Sequence, residues 1–137
     1  MNIVIIEDEE FAARRLERMI NEIDAEIQIV AKLESVGESV LWLQNMAQPD
    51  LIFMDIHLED NSSFAIFNSV EIHCPVVFTT ATDEKSTRTF KQKKIDFLLK
   101  PIVKEELIPM IQKYRDCSNC EQRILDASSF ADLVNKK

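Results

Sequence analysis

The sequence predicts an α/β domain in which a parallel sheet carries helices on both faces. Short apolar, β-branched segments such as residues 3–6 alternate along the chain with segments in which apolar residues recur every three to four positions. The first kind is typical of strands buried on both faces, and the second of amphipathic helices. Five alternations, in 137 residues that are 46% hydrophobic, predict one domain that buries roughly 70% of its unfolded surface.

The elements follow one another in strand and helix order. The predicted strands are residues 3–6, 27–31, 51–54, 76–80 and 96–99. The predicted helices are residues 11–23, 36–46, 64–70, 84–93 and 105–114. The first helix has an apolar stripe that begins at Phe11, and acids precede it, as the helix dipole favours. Strands joined through helices imply right-handed crossovers within one parallel sheet.

The charge of the chain argues against direct contact with polyanions. The chain has 16 basic and 24 acidic residues and a net charge of −8. Residues 1–60 hold 14 acids and 4 bases, so the acidic excess lies early. Such a chain is repelled by nucleic acid and by anionic membranes. The basic helix 84–93 is an exception, and it is either a solvated face or a partner contact. We therefore expect no direct DNA binding.

The remaining composition predicts a soluble, cytoplasmic protein. No apolar run approaches the roughly 20 residues that span a bilayer, and the N-terminus lacks the basic start of a signal peptide. The three cysteines, Cys74, Cys117 and Cys120, are an odd number that fits a reducing compartment better than a disulfide scaffold. The last two have metal-site spacing, but the sequence offers no second pair of ligands.

Chemically active residues follow the predicted strands. Glu7 and Asp8 come after the first strand, Asp55 after the third and Lys100 after the fifth, and Thr80 ends the fourth. The carboxyl ends of parallel strands form the site of such open sheets. Three converging carboxylates repel one another and usually share a hard cation, for which Mg²⁺ is the natural candidate. Because lysine and threonine suit phosphate oxygens, the pattern predicts a phosphoryl group bound to or arriving at Asp55.

These residues resemble the receiver domain of two-component response regulators over about residues 2–115. The matching motifs are Glu7-Asp8, Asp55, Thr80-Ala81 and Lys100-Pro101, in the order of the family. The resemblance implies a flavodoxin-like, doubly wound, five-stranded parallel sheet of order 2-1-3-4-5. It further implies a cis peptide bond before Pro101. Three segments are similar to the receivers of LytR/AlgR-like regulators, which precede a LytTR-type DNA-binding domain. They are residues 54–58, 78–81 and 95–101.

The resemblance also implies roles for individual residues. Asp55 would be the phosphoacceptor, and Mg²⁺ would be bound by Glu7, Asp8, Asp55 and the backbone carbonyl of His57. Thr80 and Lys100 would reorient toward the phosphoryl group, and Phe97 would follow inward as the switch aromatic. We expect residues 1–118 to form the receiver and 119–137 a C-terminal extension or linker. With no DNA-binding domain in the sequence, we expect an isolated receiver or a single-domain member.

The implied function is signalling, without turnover of a metabolite. A sensor histidine kinase would phosphorylate Asp55, and the face formed by the fourth helix, fifth strand and fifth helix would then favour a homodimer or an effector. Such a chain is not an enzyme beyond catalysing its own phosphorylation and dephosphorylation. In regulators of this kind the output is often transcription.

Two other functions remain open from the sequence. One is an interaction module that is independent of phosphorylation. The other is a magnesium-dependent aspartyl-phosphate phosphohydrolase, although that class usually has a second Asp where His57 stands. For Phe97, the alternative to a switch aromatic is an ordinary core residue, because aromatic side chains on strands usually pack. The loop after Asp55 contains no glycine, so we expect Asn61 to adopt a left-handed turn and Ser63 to alter the path of the loop.

Overall fold

The computed structural model describes residues 1–60, 62–81, 84–93 and 95–116. The fold is a five-stranded, all-parallel sheet of order β2-β1-β3-β4-β5, which confirms the predicted topology. Its strands are β1 Asn2–Ile6, β2 Gln28–Leu33, β3 Leu51–Asp55, β4 Val76–Thr80 and β5 Phe97–Leu99. The expected turn at Asn61, Cys117, Cys120 and the extension 119–137 lie outside the described residues.

Helices connect the strands, and one differs clearly from its prediction. The helices are α1 Glu10–Ile23, α2 Val36–Asn45, α3 Ile66–Ser69, α4 Glu84–Lys93 and α5 Lys104–Arg115. The third helix was predicted over 64–70, but α3 has four residues and follows a 3₁₀ turn, Ser63–Ala65. It ends because Val70 adopts extended backbone angles, and Val70 and Ile72 then pack against the core. Packing of these residues against the core therefore ends the helix earlier than the apolar spacing predicts.

The two faces of the sheet carry separate cores. Ile3 and Ile5 of β1 pack with α1 and α5, whereas Val4 and Ile6 point to the opposite side and pack with α2, α3 and α4. This alternation follows from the two-residue period of a strand. The sheet is therefore covered on both sides, as its continuous apolar strands predict. None of the helices within the described ranges is long and apolar enough to span a bilayer.

The stripe predicted for α1 is correct except at its start. Leu16, Met19 and Ile20 of the predicted stripe are buried against the sheet, and so is Ala13, which was not predicted to belong to it. Phe11 was predicted to belong to the same stripe, but 85% of its surface is exposed. It lies in the first turn of α1, beside the acidic end of β1, and lines a cavity of about 440 Å³ with Pro101 and other residues. The buried stripe of α1 therefore starts one turn after Glu10.

The strand register places the chemically active residues at one edge. Ile6 of β1 lies opposite Met54 of β3, and Asp55 lies opposite Thr79 of β4. The residues that follow Ile6, Asp55 and Thr79 consequently emerge side by side at the carboxyl edge of the sheet. Leu99 of β5 lies opposite Thr80 of β4, so Lys100 emerges at the same edge.

Candidate functional site

Three carboxylates meet at the carboxyl edge of the sheet. Glu7, Asp8 and Asp55 each have an oxygen within 4.8 Å of an oxygen of the other two. Only 5% of Glu7 and 7% of Asp55 are exposed, and Asp8 is half-buried. Their burial matters because water screens buried charges poorly, so their mutual repulsion is strong. We call these three residues the acidic cluster.

Lys100 is the counter-charge of the acidic cluster. Its Nζ lies 3.0 Å from Asp55 Oδ2 and also donates to Glu7 Oε1. Its backbone amide donates to the carbonyl of Thr80 at 2.8 Å, which holds the end of β5 beside β4. The Lys100–Pro101 peptide bond is cis, as expected. When all four groups are ionised, the site retains two negative charges.

Burial changes the protonation of this site. Burial, together with the hydrogen bond to Asp55, raises the pKa of Glu7 to about 8, although Lys100 opposes the shift. Burial also lowers the pKa of Lys100, but its bonds to Glu7 and Asp55 outweigh that effect and leave the pKa above its ordinary value. Lys100 therefore remains charged at neutral pH. Glu7 holds a proton over much of the neutral range, which relieves part of the repulsion in the acidic cluster.

The other predicted site residues lie near the acidic cluster or beneath it. Thr80 is buried, and its hydroxyl donates to the carbonyl of Ala81 at 2.8 Å. His57 has an exposed side chain, and its backbone amide lies 3.4 Å from Asp55 Oδ1. Phe97 is half-buried, with its ring centroid 5.7 Å from that of Phe90. Glu7, Asp8, Asp55 and Lys100 thus form one constellation, and Phe97 belongs to the core below α4.

A comparison with protein families decides the class of this site. The response regulator receiver domain model matches residues 3–112. The chain belongs to the response regulator receiver family. Receiver domains of response regulators are signalling domains.

Individual relatives place this receiver among LytT, LytR and alginate regulators. The sensory transduction protein LytT of Enterococcus faecalis is 31% identical over 82% of this chain and 47% of its own length. LytR of Streptococcus agalactiae is 30% identical over the whole of this chain and 55% of its own length. The positive alginate biosynthesis regulatory protein of Pseudomonas aeruginosa is 29% identical over 82% and 46%. The chain spans about half the length of these curated relatives.

A solved structure agrees with the family match and with the similarity to these regulators. The response regulatory domain of protein mrkE from Klebsiella pneumoniae superposes with a TM-score of 0.72 and 28% identity, covering 85% of this chain and 97% of that one. The resemblance to receivers of LytR/AlgR-like regulators is thereby confirmed. The flavodoxin-like receiver fold is confirmed with it.

Two features of this receiver were missed by the sequence analysis. The first is the cavity between α1 and the loop after β5, across which Arg15 donates to the carbonyl of Ile102 at 2.8 Å. The second is Asp60, which accepts hydrogen bonds from the first turn of α2. Asp60 lies 24 and 23 residues from its partners. No local sequence signal marks a helix cap whose residue is so far from the helix in sequence. Ser35, directly before α2, is by contrast a recognisable local cap.

Proposed function

We propose that this receiver is a phosphorylation-dependent signalling switch in which Asp55 accepts a phosphoryl group from the phosphohistidine of a sensor histidine kinase. The observation that carries the proposal is the buried carboxylate of Asp55, 3.0 Å from Lys100 Nζ and inside the acidic cluster. One Asp55 oxygen forms the new bond to phosphorus as the bond between phosphorus and the donor imidazole nitrogen breaks. The electron pair of that bond stays on the imidazole.

Lys100 and Thr80 would stabilise the new phosphoryl group. The ammonium of Lys100 already contacts Asp55, so it can neutralise phosphoryl oxygens without a large movement. Thr80 has a hydroxyl that donates to a neighbouring carbonyl, and rotation would let it donate to a phosphoryl oxygen instead. The two residues together supply positive charge and a donor where negative charge increases.

The acidic cluster also fits Mg²⁺. Its oxygens are hard donors within 4.8 Å of one another. When all three carboxylates are ionised, one lysine leaves two negative charges without a counter-charge. We assign Glu7, Asp8, Asp55 and the backbone carbonyl of His57 as the residues that would hold the ion. When bound, Mg²⁺ would neutralise charge on the phosphoryl oxygens during transfer. The four protein groups would fix the carboxylate of Asp55 for its reaction.

The proposed output is a change at the face formed by α4, β5 and α5. Phe97 on β5 would move inward as Thr80 turns, and the altered face would favour a homodimer or an effector. We propose that residues 1–118 form this receiver and that 119–137 are an extension or linker. We also propose that the output is transcription, regulated through a LytTR-type DNA-binding domain. The chain itself would work in the cytoplasm without contacting DNA or a membrane.

A small acyl-phosphate donor tests the proposal without the natural kinase. Incubation with the donor and Mg²⁺ should raise the intact mass by about 80 Da, the mass of one phosphoryl group. Asp55→Asn should abolish the gain because it removes the nucleophilic oxygen. An equal gain in both proteins would exclude Asp55 as the acceptor. Asp8→Asn should reduce the rate, since it removes a proposed ligand and leaves the acceptor intact.

A further inference from the structure

The loop that follows Asp55 is fastened to a helix outside the acidic cluster. Asp60 Oδ1 accepts a hydrogen bond from the amide of Val36 at 2.9 Å, and Oδ2 accepts one from Gly37 at 3.2 Å. Val36 and Gly37 are the first two residues of α2. Both oxygens of one carboxylate in the phosphoacceptor loop are therefore bound to the first turn of a distant helix.

This link adds to a local cap and does not replace it. The amides in the first turn of a helix have no partner inside the helix. Ser35 supplies a local partner, because its Oγ accepts from the amide of Glu38 at 3.0 Å. Asp60 satisfies two further amides, and its negative charge suits the positive end of the helix dipole. Since Ser35 already caps α2, the particular contribution of Asp60 is to tie the loop to the helix.

The base and the tip of the loop are held in different ways. Its base is closed by a backbone bond from the Ser63 amide to the Ile56 carbonyl at 2.8 Å. Ile56 and Leu58 are buried in the core that includes α2 and α3. Its tip, by contrast, is exposed at Asp60 and the residue before it. At that tip, the carboxylate of Asp60 binds the loop to regular structure.

We propose that Asp60 is a positioning residue for the cation site. By binding the first turn of α2, its carboxylate holds the loop in the position from which the backbone carbonyl of His57 can bind the cation. In this role Asp60 acts through the loop and is not itself a proposed ligand of the cation or of the phosphoryl group. The proposal rests on the function proposed above, because His57 matters only if its carbonyl binds Mg²⁺. Its consequence is that α2 contributes to the metal affinity of a site to which it supplies none of the proposed ligands.

Magnesium affinity and phosphorylation rate separate this role from a general loss of structure. Calorimetric titration of the unphosphorylated protein with Mg²⁺ gives the dissociation constant without any reaction. Asp60→Ala should raise this constant about tenfold, the low end of the effect of removing support from a metal ligand. At saturating Mg²⁺ the rate of modification by an acyl-phosphate donor should stay within about twofold, because no group at the reacting atoms is lost. Asp60→Asn should restore most of the affinity, since it retains an acceptor oxygen.

Two variants serve as matched controls. Glu59→Ala removes the same charge at the neighbouring exposed position, and it should change the dissociation constant less than about twofold because surface charges are screened. Val36→Pro breaks the link from the helix side by removing the amide that donates to Oδ1. Proline is tolerated at the first helical position. Ser35 already has the extended angles that a residue before proline requires. Val36→Pro should weaken Mg²⁺ binding in the same direction as Asp60→Ala.

The outcomes distinguish this proposal from the function on which it rests. If the unaltered protein neither binds Mg²⁺ nor gains mass, both proposals are wrong. If it binds Mg²⁺ and is modified on Asp55, but Asp60→Ala and Glu59→Ala have equal dissociation constants, only the positioning role is wrong. Should Asp60→Ala fail to fold, Val36→Pro decides, and an unchanged Mg²⁺ affinity in that variant would overturn the role of the link.

Discussion

At the scale of single residues, Glu7 couples the acidic cluster to pH. Because the pKa of Glu7 is raised from 4.5 to about 8 by burial and by the hydrogen bond to Asp55, the folded protein holds a proton that the unfolded chain gives up. The resulting stability is fully present below pH 4.5 and is lost as pH rises through about 8. Urea unfolding in EDTA should therefore show a free energy of unfolding that falls across this range.

The same proton should compete with Mg²⁺. Metal binding requires ionised carboxylates, so Mg²⁺ affinity should rise as the pH rises through about 8 and Glu7 loses its proton. Glu7→Gln is the control, because it cannot titrate and should flatten both the stability profile in EDTA and the pH dependence of Mg²⁺ affinity. A Glu7→Gln protein with the pH dependence of the unaltered chain would assign the titration to another group.

Ser63 lowers the stability of the loop that follows Asp55. It is fully buried, and its hydroxyl has no hydrogen-bond partner among the described residues. An unsatisfied buried hydroxyl costs about 1–3 kcal/mol, so Ser63→Ala should stabilise the protein by about 1 kcal/mol. The measurement is the urea midpoint at unchanged m-value. Ser62→Ala is the control and should not stabilise, because Ser62 Oγ accepts from the Phe64 amide. A lower midpoint for Ser63→Ala would contradict this interpretation.

At the scale of elements, an aromatic cluster joins α4 to the sheet. The rings of Phe78 on β4 and Phe90 on α4 stack at 5.1 Å between centroids, and Phe97 on β5 packs against Phe90. Phe90 is fully buried, whereas Phe97 is half-buried. The stack fixes α4 against β4, and Phe97 lies at its more exposed side. That arrangement leaves Phe97 room to change position with less loss of packing than Phe90.

Truncation of these rings should therefore have unequal effects. Phe90→Ala should cost about 3–5 kcal/mol because it leaves a cavity in a closed core. Phe97→Ala should cost about 1–2 kcal/mol because it removes less buried area. Chemical denaturation of the two variants measures both values. Equal costs would place Phe97 in the rigid core, and the role proposed for it as a mobile aromatic would then be wrong.

The elements themselves were largely predictable, with specific exceptions. The buried strand β3 is apolar from Leu51 to Met54, and the charged residues Asp50 and Asp55 mark its limits. Periodicity alone could not show that Phe11 is exposed in the first turn of α1, or that Val70 leaves the helix to pack against the core. Both exceptions depend on where neighbouring elements end, which a local pattern does not contain.

At the scale of the whole molecule, the position of the site was more predictable from the sequence than the orientation and protonation of its side chains. Parallel strands bring their carboxyl ends together, so Asp55 and Lys100 could be placed at one site from their positions after strands. The orientation of the Thr80 hydroxyl and the raised pKa of Glu7 depend on burial and on partners that only the folded chain defines. Asp60 was missed because its partners on α2 are distant in sequence.

Peptide-level mass spectrometry after treatment with an acyl-phosphate donor tests the proposed phosphorylation most directly. A single gain of about 80 Da should appear on the peptide that contains Asp55, and it should depend on Mg²⁺. EDTA should suppress the gain, and Asp55→Asn should remove it, because the acidic cluster would then lack its cation or its nucleophile. A gain on a different peptide, or one that persists in Asp55→Asn, would contradict the assignment of Asp55 as the phosphoacceptor.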